Sequence, residues 1–274
     1  MDLNTISSFE RPNTPEDLDQ FRDGDAWIAG GTWLFSEPQP HLRRLISIDG
    51  FNWQPVVAKA EGLTIAATCK IADLDAFEVP IAWQAAPLIK QCCRSFLASF
   101  KIWKMATIGG NLCMALPAGP MISLCASLDG MCEIWRRDGT VRYLPVMDFV
   151  HGPHSTALDS GDLLRAIFLP AQSLKCRAAF RRGALAPMGR TGVLVIGTAS
   201  ETGGLSLTVT AATPRPVRLE FDRLPNGTEL DDRLSEILPL QSYYDDVHGA
   251  PGWRQHMTRE FSREILQDLR GPQV

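Results

Sequence analysis

Residues 106–112 read Ala-Thr-Ile-Gly-Gly-Asn-Leu, and residues 28–34 read Ile-Ala-Gly-Gly-Thr-Trp-Leu. In each stretch a pair of glycines follows an apolar run and stands beside hydroxyl or amide residues. Glycine has no Cβ, so backbone N–H groups can come close to an anion. Successive exposed N–H groups form a concave site that favours phosphate. The pattern predicts two tight loops that can hold one diphosphate from two sides.

The side chains beside the glycines add further donors, namely the hydroxyls of Thr32 and Thr107 and the amide of Asn111. Neither stretch fits the dinucleotide fingerprint G-x-G-x-x-G or the phosphate-binding loop G-x-x-x-x-G-K-[ST]. A Gly-Gly pair is also common in ordinary turns. Spacing alone therefore leaves two interpretations open, a phosphate cradle and a pair of unrelated turns.

The composition is that of a globular protein of one large or two modest domains. The chain has 274 residues, of which 45% are hydrophobic and 21% charged, and its net charge is -4. The acidic balance disfavours nucleic-acid binding. The longest apolar runs, such as 193–196, fall far short of the roughly 18 residues of a membrane span. Because residues 1–5 lack a basic and an apolar region typical of secretion signals, we expect a cytoplasmic protein.

Residues that carry acid–base, nucleophilic or metal chemistry are scattered. The seven cysteines contain no C-x-x-C pair, and the five histidines form no H-E-x-x-H motif. Asp245 and Asp246 are adjacent, and we expect them in a solvated loop rather than at a catalytic centre. Cys113 stands out only because it adjoins the second glycine pair. We assign no catalytic residue and no metal ligand.

Hydrophobic patterning predicts a mixed α+β fold. In the C-terminal third, strands followed by helices predict an antiparallel sheet with helices on one face. Three segments in the middle of the chain are assigned as a helix at 81–100, a loop at 106–111 and an inter-domain connection at 171–175. The predicted strands are 26–29, 45–48, 63–68, 131–135, 141–144, 163–169, 178–182, 193–200, 205–213 and 217–221, and the other predicted helices are 71–77, 229–238 and 253–269.

Six ordered motifs resemble the flavin-binding subunit of the molybdenum hydroxylases, the medium subunit of the xanthine dehydrogenase and carbon monoxide dehydrogenase group. The resemblance covers nearly the whole chain, and the ordered set is far more specific than either glycine pair alone. The motifs are Phe9-Glu10-Arg11-Pro12, Ala29 to Leu34, Leu63 to Ala67 with Leu74, Ala106 to Leu112 followed by Pro117-Ala118-Gly119, Gly161 to Leu164 with Leu169-Pro170, and Asp246 to His256.

The resemblance implies a two-subdomain FAD-binding domain of the PCMH type over residues 1–172. A C-terminal antiparallel sheet-plus-helices domain would follow over residues 173–274. FAD would lie between the subdomains, with its diphosphate on the two glycine stretches. The residues implied at the cofactor are Ala29, Gly30, Gly31, Thr32, Trp33, Leu34, Thr107, Ile108, Gly109, Gly110, Asn111, Pro120, Leu164 and Arg181.

The resemblance also implies a role and partners. The chain would be an electron-transfer subunit that receives electrons from the [2Fe–2S] clusters of a small subunit and passes them to an external acceptor. A large subunit with a molybdenum cofactor would hydroxylate the substrate, and the whole would form a higher assembly such as a dimer of heterotrimers. Two other interpretations remain, a stand-alone FAD oxidoreductase and a non-catalytic scaffold subunit with weakened flavin binding.

Three positions depart from the family pattern. Trp33 stands where the family usually has Asp, and Trp103-Lys104 replaces Arg-Asn. Pro120 replaces the acidic residue that follows Pro-Ala-Gly and reaches the flavin. Loss of that carboxylate is expected to shift the flavin potential and disfavours NAD⁺ as the acceptor. FAD binding itself would depend mainly on backbone groups and is expected to persist.

Overall fold

The computed structural model describes residues 3–271, the side chains of Pro15, Leu18 and Asp19 excepted, and three larger sheets organise this part of the chain. The strands are β1 (Ser8–Glu10), β2 (Asp25–Ile28), β3 (Arg44–Ser47), β4 (Val56–Lys59), β5 (Gly62–Ala66), β6 (Met131–Trp135), β7 (Val141–Pro145), β8 (Val150–Gly152), β9 (Ser155–Thr156), β10 (Leu163–Pro170), β11 (Arg177–Gly183), β12 (Val193–Ala199), β13 (Leu205–Thr210) and β14 (Val217–Phe221).

Helices connect and cover these sheets. They are α1 (Ile71–Ala76), α2 (Pro87–Ser95), α3 (Phe100–Trp103), α4 (Ile108–Met114), α5 (Pro120–Ser127), α6 (Val146–Phe149), α7 (Ala171–Lys175), α8 (Gly227–Ile237) and α9 (Pro251–Arg270). Short 3₁₀ helices add single turns at Pro15–Gln20, Ile48–Phe51 and Leu240–Ser242. No helix in residues 3–271 is both long enough and apolar enough to cross a membrane.

The N-terminal sheet is parallel, with strand order β1-β3-β2. Leu45 and Ile46 of β3 are buried, as expected for a central strand. An ion pair closes one end of this sheet, where Arg44 Nε donates to Asp25 Oδ1 at 2.9 Å. The chain leaves β2 after Ile28, and the first glycine pair follows at once. The sheet therefore fixes where residues 29–35 begin.

The second sheet is antiparallel, with strand order β4-β5-β10-β6-β7. Its central strand β10 is mostly buried and pairs with β5 on one side and β6 on the other. Helices α2, α4 and α5 pack around it, and Ile89, Leu112 and Leu124 are essentially inaccessible to solvent. This sheet carries the backbone on which the second glycine pair is seated.

The C-terminal sheet is an antiparallel meander in chain order, β11-β12-β13-β14, covered by α8 and α9. Ile265 and Leu269 of α9 are buried against it. The predicted fold class is confirmed here, since strands followed by helices give one sheet with helices on one face. Leu194 and Ile196 of β12 also join the core around α2 and α5. The division of the chain at residue 172 stays a prediction.

Three local predictions were wrong. The helix predicted over 81–100 is split into α2 and α3, because Pro87 occupies the first turn of α2 and the chain breaks at Phe96. The loop predicted at 106–111 is instead the start of α4, whose first turn is capped by Thr107. The predicted connection at 171–175 forms the short helix α7, which begins directly after Pro170.

Candidate functional site: an elongated groove at two glycine pairs

The first glycine pair lies against the backbone that leads into the second. A Cβ on Gly30 would stand 1.8 Å from the carbonyl oxygen of Met105, so only glycine allows the two segments to approach this closely. Gly31 has a φ of +66°, and a Cβ there would also meet the ring of Phe35 at 2.5 Å. The two glycine stretches therefore converge, as the sequence predicts.

The backbone N–H groups of residues 30–34 are the open donors of the site. The turn that follows is closed by Phe35 N donating to Gly31 O at 2.9 Å and by Ser36 N donating to Trp33 O at 2.8 Å. Among residues 3–271, no protein acceptor is assigned to an N–H group between Gly30 and Leu34. Unpaired amide groups grouped along one bend are the arrangement that binds an anion.

The second glycine pair is different, because its N–H groups are already paired. Ile108 N donates to Cys69 O and Gly109 N donates to Ala67 O, each at 3.0 Å. Gly110 N donates to the capping hydroxyl Oγ1 of Thr107 at 3.0 Å. The predicted second set of free N–H donors was therefore wrong, since the end of β5 and the helix cap use them. What this stretch offers is close packing at Gly109 and an open surface at Gly110.

Gly109 and Gly110 serve separate purposes. A Cβ on Gly109 would meet the Cβ of Ala67 at 2.5 Å and its carbonyl oxygen at 2.7 Å, so Gly109 lets α4 pack on the strand end. A Cβ on Gly110 would meet only the hydroxyl oxygen of Thr107, at 3.1 Å. Gly110 consequently faces free space in the groove.

A groove of about 500 Å³ runs between the two stretches. An adjoining cavity of about 180 Å³ extends it towards Pro120. The combined space lies within the range of about 300–1,000 Å³ that is typical of cofactor sites. The residues common to both cavities are Phe96, Leu97, Asn111, Leu116 and Arg190.

Most of the predicted site residues lie at this groove. Residues 29–34 line it together with Thr107, Gly110 and Asn111, and Pro120 lines the adjoining cavity. The side-chain oxygen Oδ1 of Asn111 accepts from Met121 N at 3.1 Å, which orients the amide group. These positions come from three separate parts of the fold, namely the turn after β2, the start of α4 and the start of α5.

The other predicted residues are not brought to the groove. Ile108 and Leu164 are buried in the core, and Gly109 packs on Ala67. Arg181 lies on β11, where its guanidinium pairs with Glu264 at 2.5 Å and Asp268 at 2.7 Å. These ion pairs raise the pKa of Arg181 and hold its charge against α9. Arg181 does not line the groove, because two carboxylates more than 80 residues away in the sequence hold it elsewhere.

Sequence reasoning missed Arg190, which lines both cavities. It follows Gly189 in the connection between β11 and β12, and no motif or periodicity in that segment marks it. It is the charged side chain of the lining, since the lining residues include no Asp, Glu, His or Lys within the described part of the chain. The groove is therefore cationic and contains no carboxylate.

The remaining side chains at the groove are aromatic, aliphatic or neutral. Trp33 packs against His154, with ring centroids 5.6 Å apart, and so joins the first glycine stretch to the β8–β9 hairpin. Burial raises the pKa of the Cys113 thiol to about 12, so this sulfur is protonated at neutral pH. The groove thus offers backbone donors, one cation and an apolar wall, and no group suited to act as a general base.

Comparison with known proteins identifies a family of related proteins over most of the chain. A family model described as the FAD binding domain in molybdopterin dehydrogenase matches residues 8–172. The chain is 24% identical over 259 residues to the xanthine dehydrogenase FAD-binding subunit of Escherichia coli O157:H7, which spans 88% of this chain and 85% of that protein.

Solved structures share the fold. Quinoline 2-oxidoreductase from Pseudomonas putida 86 superposes with a TM-score of 0.78 at 17% identity, over 98% of this chain and 99% of that one. Reconstituted CO dehydrogenase from Oligotropha carboxidovorans gives a TM-score of 0.78 at 18% identity, over 97% and 98% of the two chains.

Proposed function

The chain belongs to the family of FAD-binding domains of molybdopterin dehydrogenases, and from this premise we propose that it is the electron-transfer flavoprotein subunit of a multi-subunit molybdenum hydroxylase. In this role it takes electrons from [2Fe–2S] clusters on a small partner subunit and passes them to an external acceptor. A large partner subunit carries the molybdenum cofactor and hydroxylates the organic substrate. We further propose that these subunits form a dimer of heterotrimers.

One observation carries the proposal, namely the row of unpaired N–H groups from Gly30 to Leu34 beside the open face of Gly110. A dinucleotide presents two adjacent phosphates, and a bend of free amide donors matches that charge and shape. The elongated groove continues past Asn111 to Pro120, which suits a long ligand. We propose that residues 29–34, Thr107, Gly110, Asn111 and Pro120 hold FAD.

The roles of four residues change in this proposal. Ile108, Gly109 and Leu164 are proposed to support the fold rather than touch the cofactor, because Ile108 and Leu164 are buried in the core and Gly109 packs on Ala67. Arg181 stabilises the contact of β11 with α9 through its two ion pairs. The cofactor-binding set is therefore smaller than the family resemblance implies.

The groove chemistry favours electron transfer over catalysis by this chain alone. When bound, FAD supplies reversible two-electron redox chemistry, and the protein supplies binding, orientation and electrostatics. An oxidase that acts on an organic substrate needs a base near the flavin. The described lining has no carboxylate or imidazole, and the Cys113 thiol stays protonated. We therefore propose that substrate chemistry occurs on a partner.

The absence of a carboxylate also bears on the electron acceptor. Trp33 and Pro120 occupy the two positions where the family usually has an acidic residue, and both line the groove. A lining with one arginine and no carboxylate would favour negative charge on a bound cofactor more than a lining with an acidic residue would. We propose that this raises the flavin potential and disfavours NAD⁺ as the acceptor.

Co-purification tests the subunit assignment. The full chain is tagged in its native host, and the complex is analysed for protein partners, FAD, iron and molybdenum. We expect two partners, with FAD retained by this chain and the metals carried by the other two. Oxidation of an organic substrate by this chain alone would instead establish a stand-alone oxidoreductase. Recovery with partners but without flavin would establish a scaffold subunit.

A further inference from the structure

Arg190 is an unpaired cation at the junction of the two cavities. It lines both the 500 Å³ groove and the 180 Å³ cavity, and its side chain is exposed to solvent. Within residues 3–271 it has no carboxylate within 4.0 Å and no assigned hydrogen-bond acceptor. Arg181 on β11 differs, since it is paired with Glu264 and Asp268.

The backbone on both sides of Arg190 is held in place although its side chain is free. Arg182 Nε donates to Thr191 Oγ1 at 2.7 Å, and Arg182 Nη2 donates to Gly189 O at 2.5 Å. One partly buried guanidinium therefore hydrogen-bonds both the residue before Arg190 and the residue after it. No carboxylate is paired with Arg182 among the described residues, and its burial lowers its pKa.

A second arginine also holds this segment by a hydrogen bond to its backbone. Arg254 is 1% exposed, and its Nη1 donates to Gly192 O at 2.6 Å. Its other bonds go to Gly249 O, Ala211 O and the carboxylate of Asp246. Gly192 N in turn donates to Gly183 O at 2.9 Å. Hydrogen bonds from α9 and β11 thus hold the backbone on both sides of Arg190.

We infer that Arg190 binds the diphosphate of the dinucleotide and that Arg182 is the positioning residue that presents it. The inference depends on the proposed function, since the ligand is the flavin dinucleotide. Arg190 lines the same groove as the free N–H groups of residues 30–34, so a ligand in that groove can contact both. A guanidinium forms paired hydrogen bonds to phosphate oxygens. The lining contains no carboxylate that would compete for it.

Equilibrium titration of the flavin-free full chain tests this assignment, with FAD and ADP as the probes. ADP carries the diphosphate without the flavin ring. For Arg190→Met we expect the affinity for both probes to fall about 10- to 100-fold, the usual effect of one hydrogen-bonded charge. Arg190→Lys should recover part of the loss. Arg142→Met is the matched control, because Arg142 is exposed on β7 and lies outside both cavities.

Salt dependence and a double variant distinguish a ligand-binding role of the two arginines from a purely structural one. The FAD affinity of the wild type should weaken with ionic strength more steeply than that of Arg190→Met. Arg182→Met should weaken FAD binding in the wild type and have little further effect in the Arg190→Met background, because both changes remove one contact. A purely structural role of Arg182 would give additive effects.

Three outcomes would overturn the inference while leaving the proposed function intact. Unchanged FAD affinity in Arg190→Met excludes Arg190 as a ligand. Weaker FAD binding with unchanged ADP binding assigns Arg190 to the ring and not to the diphosphate. Equal effects of Arg142→Met show a non-specific loss of charge. If the wild-type chain itself binds no FAD, the proposed function fails together with this inference.

Discussion

The carbonyl oxygen of Met105 lies 1.8 Å from the point that a Cβ of Gly30 would occupy. The segment after β2 and the segment before α4 therefore meet backbone to backbone, with no side chain between them. Ala106 O also accepts from Ile71 N at 3.0 Å, which ties the same segment to α1. The groove wall is built on this contact between two parts of the chain that are about 75 residues apart.

Gly30→Ala tests that contact. The added methyl group overlaps the Met105 carbonyl, so the two segments must separate, and we expect the free energy of unfolding to fall by about 1–3 kcal/mol. FAD binding should be lost at the same time. Denaturant unfolding and FAD titration give the two readouts. Gly252→Ala is the control, because a Cβ at Gly252 has no neighbour within 4 Å, and full FAD binding by Gly30→Ala would refute the contact.

Gly110→Val separates ligand binding from folding. A side chain at Gly110 enters the groove and meets only the Thr107 hydroxyl, so we expect a native melting temperature and at least a tenfold loss of FAD affinity. Gly109→Val is the comparison, since its side chain overlaps Ala67 and should destabilise the fold itself. Retention of full FAD content by Gly110→Val would show that the cofactor does not approach α4.

The ion pair between Asp25 and Arg44 predicts acid sensitivity of the N-terminal sheet. The hydrogen bond from Arg44 holds the pKa of the Asp25 carboxyl below its ordinary value of 3.8. A lowered pKa in the folded state means that the unfolded chain binds more protons below about pH 4, so stability falls as the pH drops through that range. The stabilisation by this ion pair is fully present above that range, where Asp25 is ionised in both the folded and the unfolded state.

Urea unfolding at a series of pH values measures this linkage. We expect Asp25→Asn to be less stable than the wild type at pH 7 and to lose less stability between about pH 4 and pH 2. Glu37→Gln is the control, because Glu37 is an exposed carboxylate between β2 and β3 that forms no ion pair within the described residues. Parallel loss of stability in Asp25→Asn and the wild type on acidification would contradict the role given to this pair.

The thiol of Cys113 should be unreactive although it lines the groove. With a pKa of about 12, its thiolate fraction at pH 8 is about 10⁻⁴. Because only the thiolate attacks iodoacetamide, alkylation should be about a thousandfold slower than for a free cysteine. Mass spectrometry of the native and urea-unfolded chain measures the rates. Rapid labelling of Cys113 in the native chain would contradict this prediction.

How far the sequence predicts this fold is visible at individual elements. Runs of β-branched and apolar residues located β12, β13 and α9 within a few residues, because local composition decides strands and long helices. The glycine pair at 109–110 was assigned to a loop, since glycine disfavours helices. The structure instead starts α4 there, because the Thr107 cap and the strand end supply partners for its first N–H groups.

The site was predicted where it depends on local sequence and missed where it depends on long-range contacts. The two glycine pairs by themselves predict that backbone segments approach closely there. The local sequence does not show whether Arg181 or Arg190 has an ion-pair partner. Only the positions of Glu264 and Asp268 in the fold show that Arg181 is paired. Asp246 similarly reads as a solvated carboxylate, whereas it pairs with the buried Arg254 at 2.5 Å. Such partners follow from the tertiary fold and not from spacing.

The FAD content of the purified full chain tests the central claim most directly. The chain is unfolded, the released flavin is quantified by absorbance, and the remaining native sample is titrated with FAD to saturation. The account predicts a yellow protein that carries about one FAD per chain and that releases it reversibly. A colourless chain with no saturable FAD binding, despite an intact fold, would contradict the assignment of the groove.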